Sequence, residues 1–298
     1  MRRCYRLSKS QLVVQVKTHH QIVVSCQPAN PVNYLACCGL ADILARMDAT
    51  ALTHWRISAP LSFVMESSVT EADLLTTVLE TLSDPTRWNF SSVKNCEESV
   101  QIEAKFRPKG FDAFTIALDW WYETLNRDGT IDKKSAWKMY AGQQTVRKIT
   151  TDMVREAAIL PKPLLITELL TARAPMSGRF GFDPRSSRDA LNAGFSANDL
   201  GLSVDTYPFA ELLVTFGAAA FFPSRCGRAG DLTSARGWRG RTGFAYHLWP
   251  SPLPVLLARL AASPVGAPGA PLLLAGRATR KNYSNFLLAQ PTTKQTHE

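Results

Sequence analysis

The chain has 298 residues, 45% of them hydrophobic and 20% charged, with a net charge of +9. That apolar content excludes a disordered chain, and the length suits two domains or one large bilobal unit. Residues 201–298 carry ten basic and only four acidic side chains, so this part either favours a polyanionic partner or carries solubility charge.

In chain order, "QLVVQVK" (11–17) and "QIVVSC" (21–26) are β-branched runs of strand length. Asn30-Pro31 then switches the chain to helix: Asn is a strong N-cap, and Pro suits the first helical position. The helix predicted over 31–47 is apolar nearly all round, apart from the i,i+4 pair Asp42 and Arg46, so it is a buried helix. Gly39 costs it about 1 kcal/mol relative to Ala, which implies a close neighbour against its backbone. "LTHWRISA" and "LSFVM" predict a β pair joined at Pro60, and "TEADLLTTVLETL" (70–82) predicts a helix with acidic residues in its first turn. "SVQIEAKF" (99–106) and "FTIALDWW" (114–121) read as strands.

Residues 133–158 read as one long helix ending before Pro161-Lys162-Pro163, the predicted domain boundary. A loop-rich stretch (174–206) leads to a very apolar helix from Pro208 to Phe222. Residues 224–243 are Gly/Arg-rich without regular structure, "FAYHLW" (244–249) is a strand, and "LPVLLARLAA" (253–262) is a helix. Residues 264–271 form a linker before a final hairpin. The expected architecture is mixed α/β, of α+β type and bilobal: a β-rich lobe (1–160) around the buried helix, a more helical, basic lobe (161–289) and a polar tail (290–298).

Six cysteines (Cys4, Cys26, Cys37, Cys38, Cys96, Cys226) show no CxxC spacing, so no structural zinc site is expected and Cys37 and Cys38 read as small apolar fillers. No signal-peptide core and no apolar run of about 18 residues is present, which predicts a cytoplasmic protein without a membrane partner.

Three groups could bind nucleic acid. On the predicted 133–158 helix, Lys133, Lys134, Trp137, Lys138, Tyr140, Gln144, Arg147, Lys148 and Arg155 fall opposite an apolar stripe. Cations neutralise phosphates and flat rings stack on bases; the competing reading packs Trp137 and Tyr140 under a neighbouring element. Arg179, Arg185 and Arg188 could grip phosphate, or pair internally with Asp183 and Asp189. Arg225, Arg228, Arg236, Trp238, Arg239 and Arg241 suit an adaptable arm or a passive insertion. Asp112, Asp119 and Glu123 could form a metal-dependent nuclease site, but bulky apolar neighbours favour a structural role. The histidines share no catalytic motif, so neither enzyme activity nor a cofactor is expected.

"NPVNYLACCGLADIL", "LDWW", "WKMYAGQQTVRKI" and "GFDPRSSRDALNAGFSANDLGLSVDTYPFAELLVTFG" occur in this order and spacing. Together, over about residues 26–250, they resemble the large-subunit-like component of type I-U (I-G) CRISPR effector complexes. The resemblance implies a non-catalytic subunit of a guide-RNA surveillance complex that binds target double-stranded DNA. Its further implied partners are the guide RNA, the other effector subunits and a helicase-nuclease that the subunit helps to recruit after reading a short flanking motif. A protein-only scaffold remains the alternative to these nucleic-acid roles.

Overall fold

Asn30 starts a helix, as its sequence context requires. The computed structural model describes residues 19–90, 101–104, 114–117, 144–186, 203–221, 243–262, 270–280 and 283–291. In it α1 runs Pro31–Met47; Asn30 stands outside in extended backbone, and its side-chain oxygen accepts the Val32 amide at 2.9 Å. Every residue from Pro31 to Leu44 is buried, as an almost unbroken apolar circumference demands.

Around α1 the chain lays β1 (His20–Ser25), β2 (Leu52–Arg56), β3 (Ser62–Ser67) and α2 (Glu71–Leu82). Thr70 caps α2 by accepting the Asp73 amide. Short strands β4 (Gln101–Ala104) and β5 (Phe114–Ala117) pair with each other. Then come α3 (Val146–Ile159), β6 (Ala174–Met176), β7 (Val204–Thr206) and α4 (Pro208–Phe221). The chain closes with β8 (Gly243–His247), β9 (Leu253–Pro254), α5 (Val255–Ala262), β10 (Leu272–Arg280), β11 (Tyr283–Phe286) and β12 (Gln290–Pro291).

The fold is α+β, with every ladder antiparallel among the described residues. One sheet has the order β1-β3-β2-β9, with Val23 opposite Val64 and Trp55 opposite Phe63. In the other, β10 pairs with β8, β11 and β12, so the expected hairpin is present. The strand β12 begins within the expected 290–298 tail: Gln290 and Pro291 pair with Leu274 and Leu273, and Ala289 beside them is buried, its amide donating to the Ala29 carbonyl at 2.7 Å. The ordered chain therefore extends past the expected start of the tail.

Gly39 receives the close neighbour that its cost implies. A Cβ on Gly39 would strike the Leu213 carbonyl oxygen and lie 3.2 Å from the Gly217 nitrogen. Reciprocally, a Cβ on Gly217 would strike the Leu35 carbonyl oxygen and lie 2.8 Å from the Gly39 nitrogen. Thus α1 and α4 touch backbone to backbone, glycine against glycine. Asp42, one turn further on, is buried yet doubly paired, with Arg46 at 2.9 Å and with Arg259 of α5 at 2.5 Å.

An aromatic nest ties the two large sheets together. The ring of Tyr34 stacks on Tyr246 (centroids 4.0 Å apart) and on Trp55 (5.5 Å). Backbone carbonyls satisfy two polar tips in the nest: Tyr246 donates to that of Pro28 at 2.7 Å, and Trp249 to that of Thr53 at 2.9 Å. Rings with one apolar body and one polar tip are usually buried with such partners. The core is one cluster reaching from Ile22 to Ala289. It runs across Pro161-Lys162-Pro163 without interruption, since β2 pairs with β9 and α1 packs on α4.

The expected long helix over 133–158 needs correction. The helix starts at Val146: Thr145 is its N-cap in extended backbone (φ −114°, ψ 153°), accepting the Lys148 amide at 3.2 Å. A Thr hydroxyl offers the backbone a better bond at a cap than inside a helix. Gln144 therefore lies outside the helix, and residues 133–143 lie outside the described residues. The C-terminal end agrees with expectation: α3 stops at Ile159, and Leu160 turns extended before Pro161. Residues 11–17 and most of the Gly/Arg-rich segment also lie outside the described residues. Among those that are described, no helix is long and apolar enough to cross a membrane.

Gly217→Ala is expected to lower stability by about 1–3 kcal/mol, the usual cost of forcing atoms into a filled core. Gly276→Ala is the control, because there a Cβ meets only Leu287 side-chain atoms at 3.4 Å or beyond. Thermal melts of both variants check this; equal melting temperatures would remove the close helix crossing.

Candidate functional site

The candidate residues that the structure describes fall in two places: around a buried carboxylate pair and on the outer face of α3.

The pair forms where three distant segments converge. Glu211 sits in the first turn of α4, fully buried in a helix otherwise made mostly of apolar residues. Its carboxylate accepts the Phe180 amide at 3.0 Å and the Asp183 amide at 3.4 Å. Between these two residues Gly181 adopts φ 81°, a conformation open to glycine at no steric cost, and this turns the "GFDP" segment around the Glu211 carboxylate. Asp183 is itself buried and is held by Arg185, whose guanidinium approaches to 2.6 Å. Asn30, the cap of α1, donates to Asp183 at 3.4 Å.

Burial pushes the Glu211 carboxyl up to about 7, and the adjacent Asp183 charge adds to this; Arg179 and the two amides pull the other way. The site can therefore change charge near neutrality. It is closed to solvent at both carboxylates, which makes it a clamp between helices rather than a pocket for a solute.

Arg185 is engaged inside the protein by several groups. Besides Asp183, it donates to the Leu170 carbonyl at 3.0 Å, and its guanidinium lies 3.6 Å over the Tyr207 ring. The internal pairing weighed for this group is thus the one Arg185 makes. Arg179 is half-buried and bears electrostatically on Glu211. Arg188 lies outside the described residues.

On α3 the apolar residues Val146, Ile149, Met153, Val154 and Ala157 face the core, while Arg147, Lys148 and Arg155 are exposed. Arg147 lies 5.6 Å over the Phe90 ring, and Arg155 pairs loosely with Asp152 at 3.8 Å. Gln144 donates to the Ser177 carbonyl at 3.3 Å. Gly178 leaves room there, a Cβ lying 3.8 Å from both Gln144 and Asp152. The fold therefore brings Gln144 and the Asp152–Arg155 pair beside the segment that carries Arg179.

The remaining candidates lie outside the described residues: Lys133, Lys134, Trp137, Lys138, Tyr140, Arg225, Arg228, Arg236, Trp238, Arg239 and Arg241, together with Asp112, Asp119 and Glu123 of the nuclease alternative. Basic and acidic side chains nearly balance among the described residues, so the chain's positive surplus belongs to the other segments. Among the described residues no group of three or more His, Cys, Asp or Glu side chains could hold a metal ion. Sequence reasoning missed Glu211 and its link to Asn30; the available signal was a lone carboxylate inside "YPFAELLVTFG".

Comparison with protein-family models, curated proteins and solved structures finds no match to this chain.

Because the folded value of Glu211 lies above its ordinary 4.5, the folded state keeps a proton that the unfolded chain has released between these two values. The stability from this group is complete below about 4.5 and drains away as pH rises towards 7. Glu211→Gln keeps an acceptor for Phe180 without the titration. Between pH 5 and 7.5 the wild type is expected to lose about 1–3 kcal/mol more stability than this variant, read from paired denaturation curves. Parallel curves would contradict the assignment.

Proposed function

We propose that this chain is a non-catalytic, nucleic-acid-binding subunit of a type I CRISPR guide-RNA surveillance complex in the cytoplasm. It would contribute to target-duplex binding and flanking-motif recognition, and offer a surface for recruiting the helicase-nuclease. The observation that carries this reading is the outward cationic face of α3: Arg147, Lys148 and Arg155 stand exposed on a helix whose opposite side is fixed in the core. Cations on a rigid helix can track a phosphate backbone at the cost of ordering their side chains alone, because the backbone is already fixed.

A second support comes from the segments that carry the family resemblance. "NPVNYLACCGLADIL" and "GFDPRSSRD…FAELLVTFG" are far apart in sequence but in contact through Asn30 and Asp183, and through Gly39 and Gly217. In this reading they form the frame, while the basic segments from 133–143 and 224–243 supply further phosphate contacts. Such contacts position a complex on its duplex; base-edge contacts supply the sequence preference.

The test uses the chain co-expressed with its neighbouring gene products and a guide RNA. Arg147, Lys148 and Arg155 are replaced together by Ala. The slope of log affinity against log salt falls by about 0.9 for each B-DNA phosphate that the protein ceases to neutralise. The triple variant should therefore bind more weakly, with a slope reduced by about 1–3, while its melting temperature stays that of the wild type. Wild-type affinity and slope would refute a role for this face. Metal-dependent DNA cleavage abolished by Asp119→Ala would replace the proposal with the nuclease reading.

A further inference from the structure

Two thiols meet where β1 runs into α1. Cys26 follows the last residue of β1, and Cys37 lies in the second turn of α1. Both are free, and their Sγ atoms are 3.7 Å apart, in van der Waals contact. They differ in access: Cys37 is fully buried, whereas Cys26 is only partly so. Cys38 is the next residue on the helix, about 100° further round. It faces Tyr34, which hydrogen-bonds it, and Arg259.

We infer that Cys26 and Cys37 are a redox-responsive pair that closes to a disulfide when a hydroperoxide reaches Cys26. The Sγ of Cys26 attacks one peroxide oxygen; the O–O bond breaks, one water leaves, and Cys26 becomes a sulfenic acid. The Sγ of Cys37 then attacks the Cys26 sulfur. The S–O bond breaks, and the departing hydroxide takes the Cys37 proton and leaves as the second water. Two thiols and one hydrogen peroxide molecule thus give one disulfide, with each cysteine losing one electron and one proton. Burial holds the Cys37 thiol protonated, which leaves the more accessible Cys26 to meet the peroxide first; Cys37 attacks only as it gives up its proton to the departing hydroxide.

The geometry needs only a modest movement. A disulfide bond is about 2.05 Å long, so the sulfurs must approach by about 1.6 Å. Cys26 lies just outside β1 and can turn about its χ1 without disturbing the ladder. The bond would staple the segment from Cys26 to Asn30, whose Pro28 and Ala29 carbonyls accept from Tyr246 and Ala289. A small thiol reductant reopens it by exchange. Such reversible bonds are the kind found in reducing compartments, where they act as sensors rather than permanent staples.

The full-length protein is treated with one equivalent of hydrogen peroxide, alkylated, and cleaved after Tyr34 without reduction. This cut separates Cys26 from Cys37. The two fragments should stay joined, with the loss of two hydrogens, and tandem mass spectrometry should place the link at Cys37. Cys38→Ala should keep the link and Cys26→Ser should abolish it. The oxidised wild type should melt a few degrees higher, returning to its starting value with dithiothreitol. Separate fragments carrying alkylated or sulfinic Cys26, or a link mapped to Cys38 in the wild type, would overturn the inference.

Discussion

The contact between Gly39 and Gly217 is the constraint on which the other arrangements rest. Each glycine costs its helix about 1 kcal/mol in conformational freedom. In return the two backbones approach so closely that the carbonyls of Leu35 and Leu213 occupy the space of the missing Cβ atoms. At that separation the larger apolar side chains on either side of the crossing, among them Leu35, Leu40, Leu213 and Phe216, are fully buried. A helix buried on all sides gains from a partner of this kind, because ordinary side-chain packing would hold the axes some 8–10 Å apart.

What happens at the ends of α1 follows from that crossing. Its first turn is brought beside the first turn of α4, so that Asn30 reaches Asp183 and the "GFDP" turn folds over Glu211. Its far half brings the buried Asp42 to Arg259, which ties α5 and the adjoining strand β9 to the first sheet. On the flank, Tyr34 becomes the centre of the aromatic nest between the sheets. The buried charges are acceptable because each is paired or hydrogen-bonded; a lone carboxylate in the same places would cost several kcal/mol.

Local signals are readable in the sequence, and long-range ones are not. Asn30-Pro31, Thr70 and Pro208 mark helix starts because caps and proline act through neighbouring residues. Gly39 can be read as needing a close neighbour, but nothing local says that the neighbour is Gly217, one glycine in "TFGAAAF". The periodicity over 133–158 misleads because it continues across Thr145, whose capping bond outweighs the pattern. Arg185 is legible only as one of two options, since choosing between phosphate and Asp183 depends on the burial of Asp183. Glu211 is the clearest failure: its amide donors, Phe180 and Asp183, lie about thirty residues earlier on a turn that no periodicity describes. The α+β class is readable because strand-length runs come in adjacent pairs between helix-length apolar patterns, which suits antiparallel pairing.

If the glycine crossing organises the fold, α1 and α4 must open together and last. Amide hydrogen exchange followed by mass spectrometry measures this directly, since the most protected amides report global unfolding. The peptides covering Leu35–Leu44 and Leu212–Phe221 should be the slowest in the chain, exchanging with the same free energy as global denaturation. Earlier exchange in either helix, with the other still protected, would show that the two are held independently and would contradict the account.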